Sequence, residues 1–139
     1  MRVDIRDIQL NSNGRGEITD ITPDVSDRLS ETGLKNGIVC VSVIGSTASI
    51  TTMEYEPALV ADMKRLFEKI APSGVSYEHD KTWGDANGYS HLRASLLGPS
   101  VTIPFKDKRL CLGTWQQIVF IDFDNRPRKR DIRLHFIGQ

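Results

Sequence analysis

From residue 100 to the C-terminus the chain shows strand patterns with no helical segment between them. Residues 100–103, 108–112, 116–123 and 131–137 read as four strands. Ile118 and Phe120, and then Ile132, Leu134 and Phe136, recur with the period of two that sends alternate side chains to opposite faces of a sheet. Parallel neighbours need a long crossover between them, usually a helix, whereas antiparallel neighbours need only a turn. The pattern therefore predicts an antiparallel meander, with Asn125-Arg126-Pro127 as the turn between the last two strands. The fold class is α+β: one domain, residues 1–139, mostly antiparallel sheet or sandwich with two main helices.

The upstream half fits that frame. Residues 2–10 alternate with a slip near Asp7, which predicts a bulged strand. Residues 15–21 predict a second strand, returning on the first as a hairpin through Asn11-Ser12-Asn13-Gly14. Thr22-Pro23-Asp24 starts a helix, because proline needs no donor at the first position and an acid suits the positive end of the dipole. Val25, Leu29 and Thr32 mark its inner face, and Gly33 stops it. Residues 37–44, GIVCVSVI, are almost continuously apolar and predict a central strand covered on both faces. Glu56-Pro57 opens a helix to about residue 70, with Leu59, Met63, Leu66 and Ile70 in a core-packing stripe and Val60 and Phe67 beside it. Residues 75–89 read as loop and 91–97 as a short helix closed by Gly98-Pro99, with Asn87 and His91 spaced i, i+4.

Composition excludes several function classes. The formal charge is zero, and a sequence-independent nucleic-acid binder needs a positive surplus. No stretch approaches the roughly 18 apolar residues of a membrane span, and MRVDIRDIQL has no apolar signal core. The expectation is a soluble cytoplasmic protein with neither a nucleic-acid nor a membrane partner. Cys40 and Cys111 lie in apolar runs and read as small buried hydrophobes.

Residues able to do chemistry crowd together late in the chain: His79, Asp80, Asp85, Asn87, His91, Arg93, Ser100, Thr114 and Gln116. Imidazole titrates near neutrality and ligates transition metals, so His79 and His91 are candidate acid–base groups or metal ligands, with Glu78, Asp80 or Asp85 to orient them. Their spacing matches no zinc pattern, and two ordinary histidines on a solvated loop are the competing reading. Gly45-Ser46-Thr47 follows the central strand and reads either as an anion pocket of N–H groups and hydroxyls or as the start of a Ser/Thr-rich strand. Arg126, Arg128, Lys129 and Arg130 suit a phosphate fork, or else a solvated hairpin tip, the reading favoured for Arg128 and Lys129. Trp115 either stacks on a planar ring or fills the core, and His135 is read as an ordinary strand histidine. No Walker loop, nucleophile elbow or dinucleotide fingerprint is present.

Tyr77-Glu78-His79, Asn87, Ser90-His91-Leu92, Gly98-Pro99-Ser100, Ile103-Pro104, Leu112-Gly113-Thr114-Trp115-Gln116 and Arg126-Pro127-Arg128 with Arg130 resemble, in this order and spacing, the YjbQ-like proteins. Members of that family carry a His-Thr-Thr-Ala run and an Asn-Glu pair where this chain reads Gly45-Ser46-Thr47-Ala48 and Met53-Glu54.

The resemblance implies a homotrimer of α+β subunits and a secondary thiamine-phosphate synthase activity, joining hydroxymethylpyrimidine diphosphate to thiazole phosphate with release of pyrophosphate. His79, His91, Asp85 and Asn87 are then the catalytic candidates. Ser46, Thr47, Arg93, Ser100, Arg126 and Arg130 are candidates for the phosphates, and Trp115 and Gln116 for the pyrimidine. Asp85 and Glu54 are candidate Mg²⁺ ligands; His79 and His91, with Glu54, are candidates for a transition metal such as Zn²⁺. A metal- or phosphate-ligand-binding protein, or a hydrolase of a small phosphorylated substrate, is the alternative.

Overall fold

The computed structural model describes residues 1–139. Its strands are β1 (Arg2–Ser12), β2 (Glu17–Asp20), β3 (Gly37–Val43), β4 (Ala48–Met53), β5 (Ser100–Lys106), β6 (Arg109–Leu110), β7 (Gln117–Asp122) and β8 (Arg128–Gly138). The helices are α1 (Thr22–Thr32), α2 (Pro57–Ile70), α3 (Glu78–Trp83) and α4 (Gly88–Leu97). No helix is long and apolar enough to cross a membrane.

Two antiparallel sheets face each other, one ordered β1-β8-β3-β5-β6 and the other β2-β7-β4. The pleat sends Val39, Val41, Val43, Ile103, Phe105, Ile132, Leu134 and Phe136 of the larger sheet inward, to meet Ala48, Ile50, Ile118 and Phe120 of the smaller one. Ile21, Val25, Leu29 and Leu34, from α1 and its flanks, close one end of this core. The opposite face of the smaller sheet presents Ile18, Val119, Ile121 and Phe123, covered by Phe67 of α2 and Ala94 of α4. The result is three layers, sheet on sheet on helices, so β7 is buried from both sides.

Several local expectations are corrected. The second strand does not return on the first. Gly14, Arg15 and Gly16 all take positive φ and turn the chain away, so β2 pairs with β7 while β1 pairs along its length with β8. The last strands form no meander either, because β7 and β8 belong to different sheets and residues 123–127 cross between them. Strand β3 is central, but only its inner face is covered; Ile38 is exposed. Helix α2 turns Val60, Met63 and Phe67 to the sheet and leaves Leu66 and Ile70 in solvent. Residues 78–83 are helical rather than loop. Neither cysteine is buried: Cys40 is half-buried and Cys111 exposed.

Candidate functional site

Two of the crossings between the sheets end at the same place. The link from β3 to β4 carries Gly45, Ser46 and Thr47, and the link from β7 to β8 is bracketed by Asp122, Asp124, Arg128 and Arg130. Helices α3 and α4 lean over the junction with His79, Trp83, Asp85, Asn87 and His91. Together these side chains enclose an open cavity of about 380 Å³ lined by Gly45, Ser46, Thr47, His79, Trp83, Asp85, Asn87, His91, Arg128 and Arg130.

The floor is an ion-pair network. Asp122 and Asp124 are fully buried. Arg130 forks onto Asp122, with Nε and Nη2 each 2.8 Å from a carboxylate oxygen, and Nη2 also donates to Thr47 Oγ1 at 2.7 Å. Arg128 Nε donates to Asp124 Oδ2 at 2.5 Å. Asp124 also accepts from Thr47 Oγ1, Asn87 Nδ2 and the Asn125 N–H. Burial by itself pushes the Asp124 carboxyl up, but the donors from Asn125, Arg128, Asn87 and Thr47 outweigh it and hold the group below the usual aspartate value. The acids are aimed from behind by the Gly14–Gly16 turn, where Arg15 and Gly16 donate their N–H groups to the carbonyls of Asp124 and Asp122. A Cβ on Gly14 would stand 2.6 Å from the carbonyl oxygens of Asp124 and Arg126, so this approach requires glycine.

Above the floor are groups with nothing in the chain to bind. The N–H groups of Gly45, Ser46 and Thr47 donate to no protein acceptor. Arg130 Nη1 makes no hydrogen bond and lies 2.9 Å from where a Cβ at position 45 would stand, so the glycine leaves it room. The two imidazoles stand with ring centroids 4.5 Å apart and planes tilted 46°. His79 Nδ1 and Asn87 Oδ1 are buried without partners, and Asn87 is only 3% exposed. Buried polar atoms are nearly always paired, so two orphans beside one cavity mark a place for a ligand's polar groups.

Of the residues singled out from sequence, Ser46, Thr47, His79, Asp85, Asn87, His91 and Arg130 come together here. The others lie elsewhere. Arg93 is buried against α2, donating to Ala71 O and Glu68 and lying over the Tyr89 ring. Ser100 opens β5 on the outer face of the larger sheet. Trp115 is 73% exposed on the turn before β7, and Gln116 on the same turn is bonded to Thr52 and Gly113. Glu54 and Arg126 are exposed and line no part of the cavity. No three His, Cys, Asp or Glu side chains of the chain gather as a metal-holding group.

Sequence reasoning missed Asp122, Asp124 and Trp83, and it placed Arg128 on a solvated hairpin tip where the structure pairs it with Asp124. A signal for the acids existed. IDFD sets two carboxylates at the end of an apolar strand, just before an arginine run.

A two-sheet α+β domain with a polar pocket where the chain changes sheets is thus the class that fold and site define. The family model for "UPF0047 protein YjbQ-like" matches residues 6–139, and the chain belongs to that family. A UPF0047 protein of Methanothermobacter thermautotrophicus is 40% identical over 139 residues, covering 100% of this chain and 95% of the relative. The UPF0047 protein YjbQ of Salmonella typhimurium is 38% identical over 117 residues, 81% of this chain and 82% of its own. Among solved structures, a hypothetical protein of Aeropyrum pernix superposes with a TM-score of 0.91 at 31% identity, covering 98% of this chain and 99% of that one. A protein of unknown function from Sulfolobus solfataricus gives 0.89 at 28%, covering 99% of this chain and 100% of that one.

Proposed function

We propose that the cavity binds a small phosphorylated molecule and carries out a transfer of the thiamine-phosphate-synthase type. In that reaction the thiazole nitrogen bonds to the methylene carbon of the pyrimidine. That carbon's bond to the diphosphate oxygen breaks, and the electron pair leaves with pyrophosphate. The observation that carries the reading is the row of unpaired N–H groups at Gly45, Ser46 and Thr47 beside the free Arg130 Nη1. Donors fixed in place before the reaction stabilise charge as it develops on a leaving group. Arg128, with both terminal nitrogens unpaired, adds a second guanidinium. His79 and His91 across the cavity hold or move a proton. Asp85, three residues before α4 and exposed at the rim, would hold a hydrated Mg²⁺ arriving with the diphosphate.

The test is to incubate protein with the pyrimidine diphosphate, the thiazole phosphate and Mg²⁺, and to follow thiamine phosphate by its fluorescent oxidation product. Product from the wild type and none from His91→Ala is the expected result. Equal product from both, or none from either, overturns the transferase reading. One observation favours a second reading, a phosphate-ligand-binding protein or phospho-substrate hydrolase: a single residue of the ten in the cavity wall is hydrophobic. Release of inorganic phosphate from a phosphate ester, without thiamine phosphate, would select the hydrolase.

Homotrimer assembly and a cytoplasmic location belong to the same proposal. The outer face of the larger sheet supports the first, because Val3, Ile137 and Ile38 stand side by side across β1, β8 and β3 and are all exposed. Two unpaired thiols suit the second, since a reducing compartment leaves cysteines free.

A further inference from the structure

We infer that Trp83 is the stacking wall for a planar aromatic ring attached to the phosphate, and so sets the class of ligand the cavity accepts; the inference rests on the phosphate-binding reading above. Trp83 is 76% exposed and is the one hydrophobic residue lining the cavity. A tryptophan normally spends its large apolar surface in a core or an interface. Here the core explanation is closed, because α3 buries none of its six residues.

Hydrogen bonds, not packing, hold the helix that carries it. Asp80 Oδ2 accepts from the Tyr77 N–H and Asp80 Oδ1 from the Gly88 N–H, and Tyr77 Oη donates to Pro72 O. Gly84 then takes a left-handed φ of 73° and ends the helix directly after Trp83, leaving the indole at its open end. The chain thus fixes this backbone yet leaves the indole unpacked beside a cavity whose remaining wall is polar. A single phosphate fills only a fraction of about 380 Å³. Trp83 lines this cavity together with Asn87 and His79, whose orphaned Oδ1 and Nδ1 are suited to the polar edge of a ring whose face lies on the indole. Trp115, at 73% about as exposed, does not line this cavity and is not part of this wall.

The test compares inorganic phosphate, ethyl phosphate and benzyl phosphate. Binding is titrated through the ring protons of His79 and His91, and through the indole emission of a Trp115→Phe protein, in which Trp83 is the sole tryptophan. Stacking on one ring is expected to make benzyl phosphate bind about tenfold tighter than ethyl phosphate. Trp83→Ala and Trp83→Leu should both abolish that preference and leave the affinity for inorganic phosphate unchanged. Because the residue is exposed, both variants are expected to fold. Equal binding of the two esters by the wild type overturns the inference while sparing the phosphate reading. A preference that survives in Trp83→Ala overturns it too, and one that survives only in Trp83→Leu replaces stacking with plain apolar contact. If neither ester nor inorganic phosphate binds, the phosphate reading falls and this inference falls with it.

Discussion

Asp124 organises the site one residue at a time. It gathers Asn87, Thr47, Arg128 and the Asn125 N–H around one buried carboxylate. Its pKa in the fold lies below the ordinary value of about 3.9, so its contribution to stability is fully present above that value and is lost as pH falls through the folded-state pKa. Asp124→Asn should therefore be less stable than the wild type at neutral pH, by about 1–3 kcal/mol, because Arg128 loses its charged partner. Thermal melts from pH 7 down to pH 3 should show the two proteins converging as the wild type protonates. Parallel curves would mean that Asp124 carries no special charge. The IDFD signal for this residue was passed over, because an acid two positions after Asp122 at the end of an apolar strand also reads as ordinary alternation. The histidines were legible, because imidazole is rare and chemically distinct, but their approach to 4.5 Å was not.

Helix α3 shows why one element escaped the sequence reading. Periodicity detects a helix by its apolar stripe, and α3 has none to bury. Caps form it instead, with Asp80 serving both the Tyr77 and Gly88 N–H groups and so tying α3 to the start of α4. Asp80→Ala should cost about 1 kcal/mol and speed amide exchange over residues 77–88 more than elsewhere. Ligand affinity should fall with it, because His79 and Trp83 ride on this helix. Uniform exchange across the chain would show that α3 is held by something other than these caps. Helices α1 and α2 were readable because each keeps its own start signal. Even so, α2 was turned wrongly, since the side that meets a sheet depends on where that sheet lies.

At the scale of the molecule, one sheet face is left uncovered. Val3, Ile137, Ile38 and Pro104 form a row across four strands, followed by Ile5, His135, Cys40 and Thr102. If this face assembles the trimer, light scattering on the eluting protein should give three times the 15.6 kDa chain mass, and Ile38→Glu should shift it to monomer without loss of fold. A wild-type protein that elutes at the mass of one chain would remove the trimer.

The amino-acid sequence by itself determined the α+β class, α1 and α2, the strands with period two and the family, because each rests on neighbours in the chain. Which sheet each strand joins was decided only by the tertiary structure. Period-two alternation fixes that a strand has two faces but not which strand lies beside it, so β2 read as the partner of β1 and β7 as the partner of β8, whereas β2 and β7 pair with each other. The site followed the same rule. Its histidines, hydroxyls and Arg130 could be named one by one. Yet it exists only because two of the sheet-crossing links, residues 44–47 and 123–127, end at one junction, and sequence separation carries no measure of that distance.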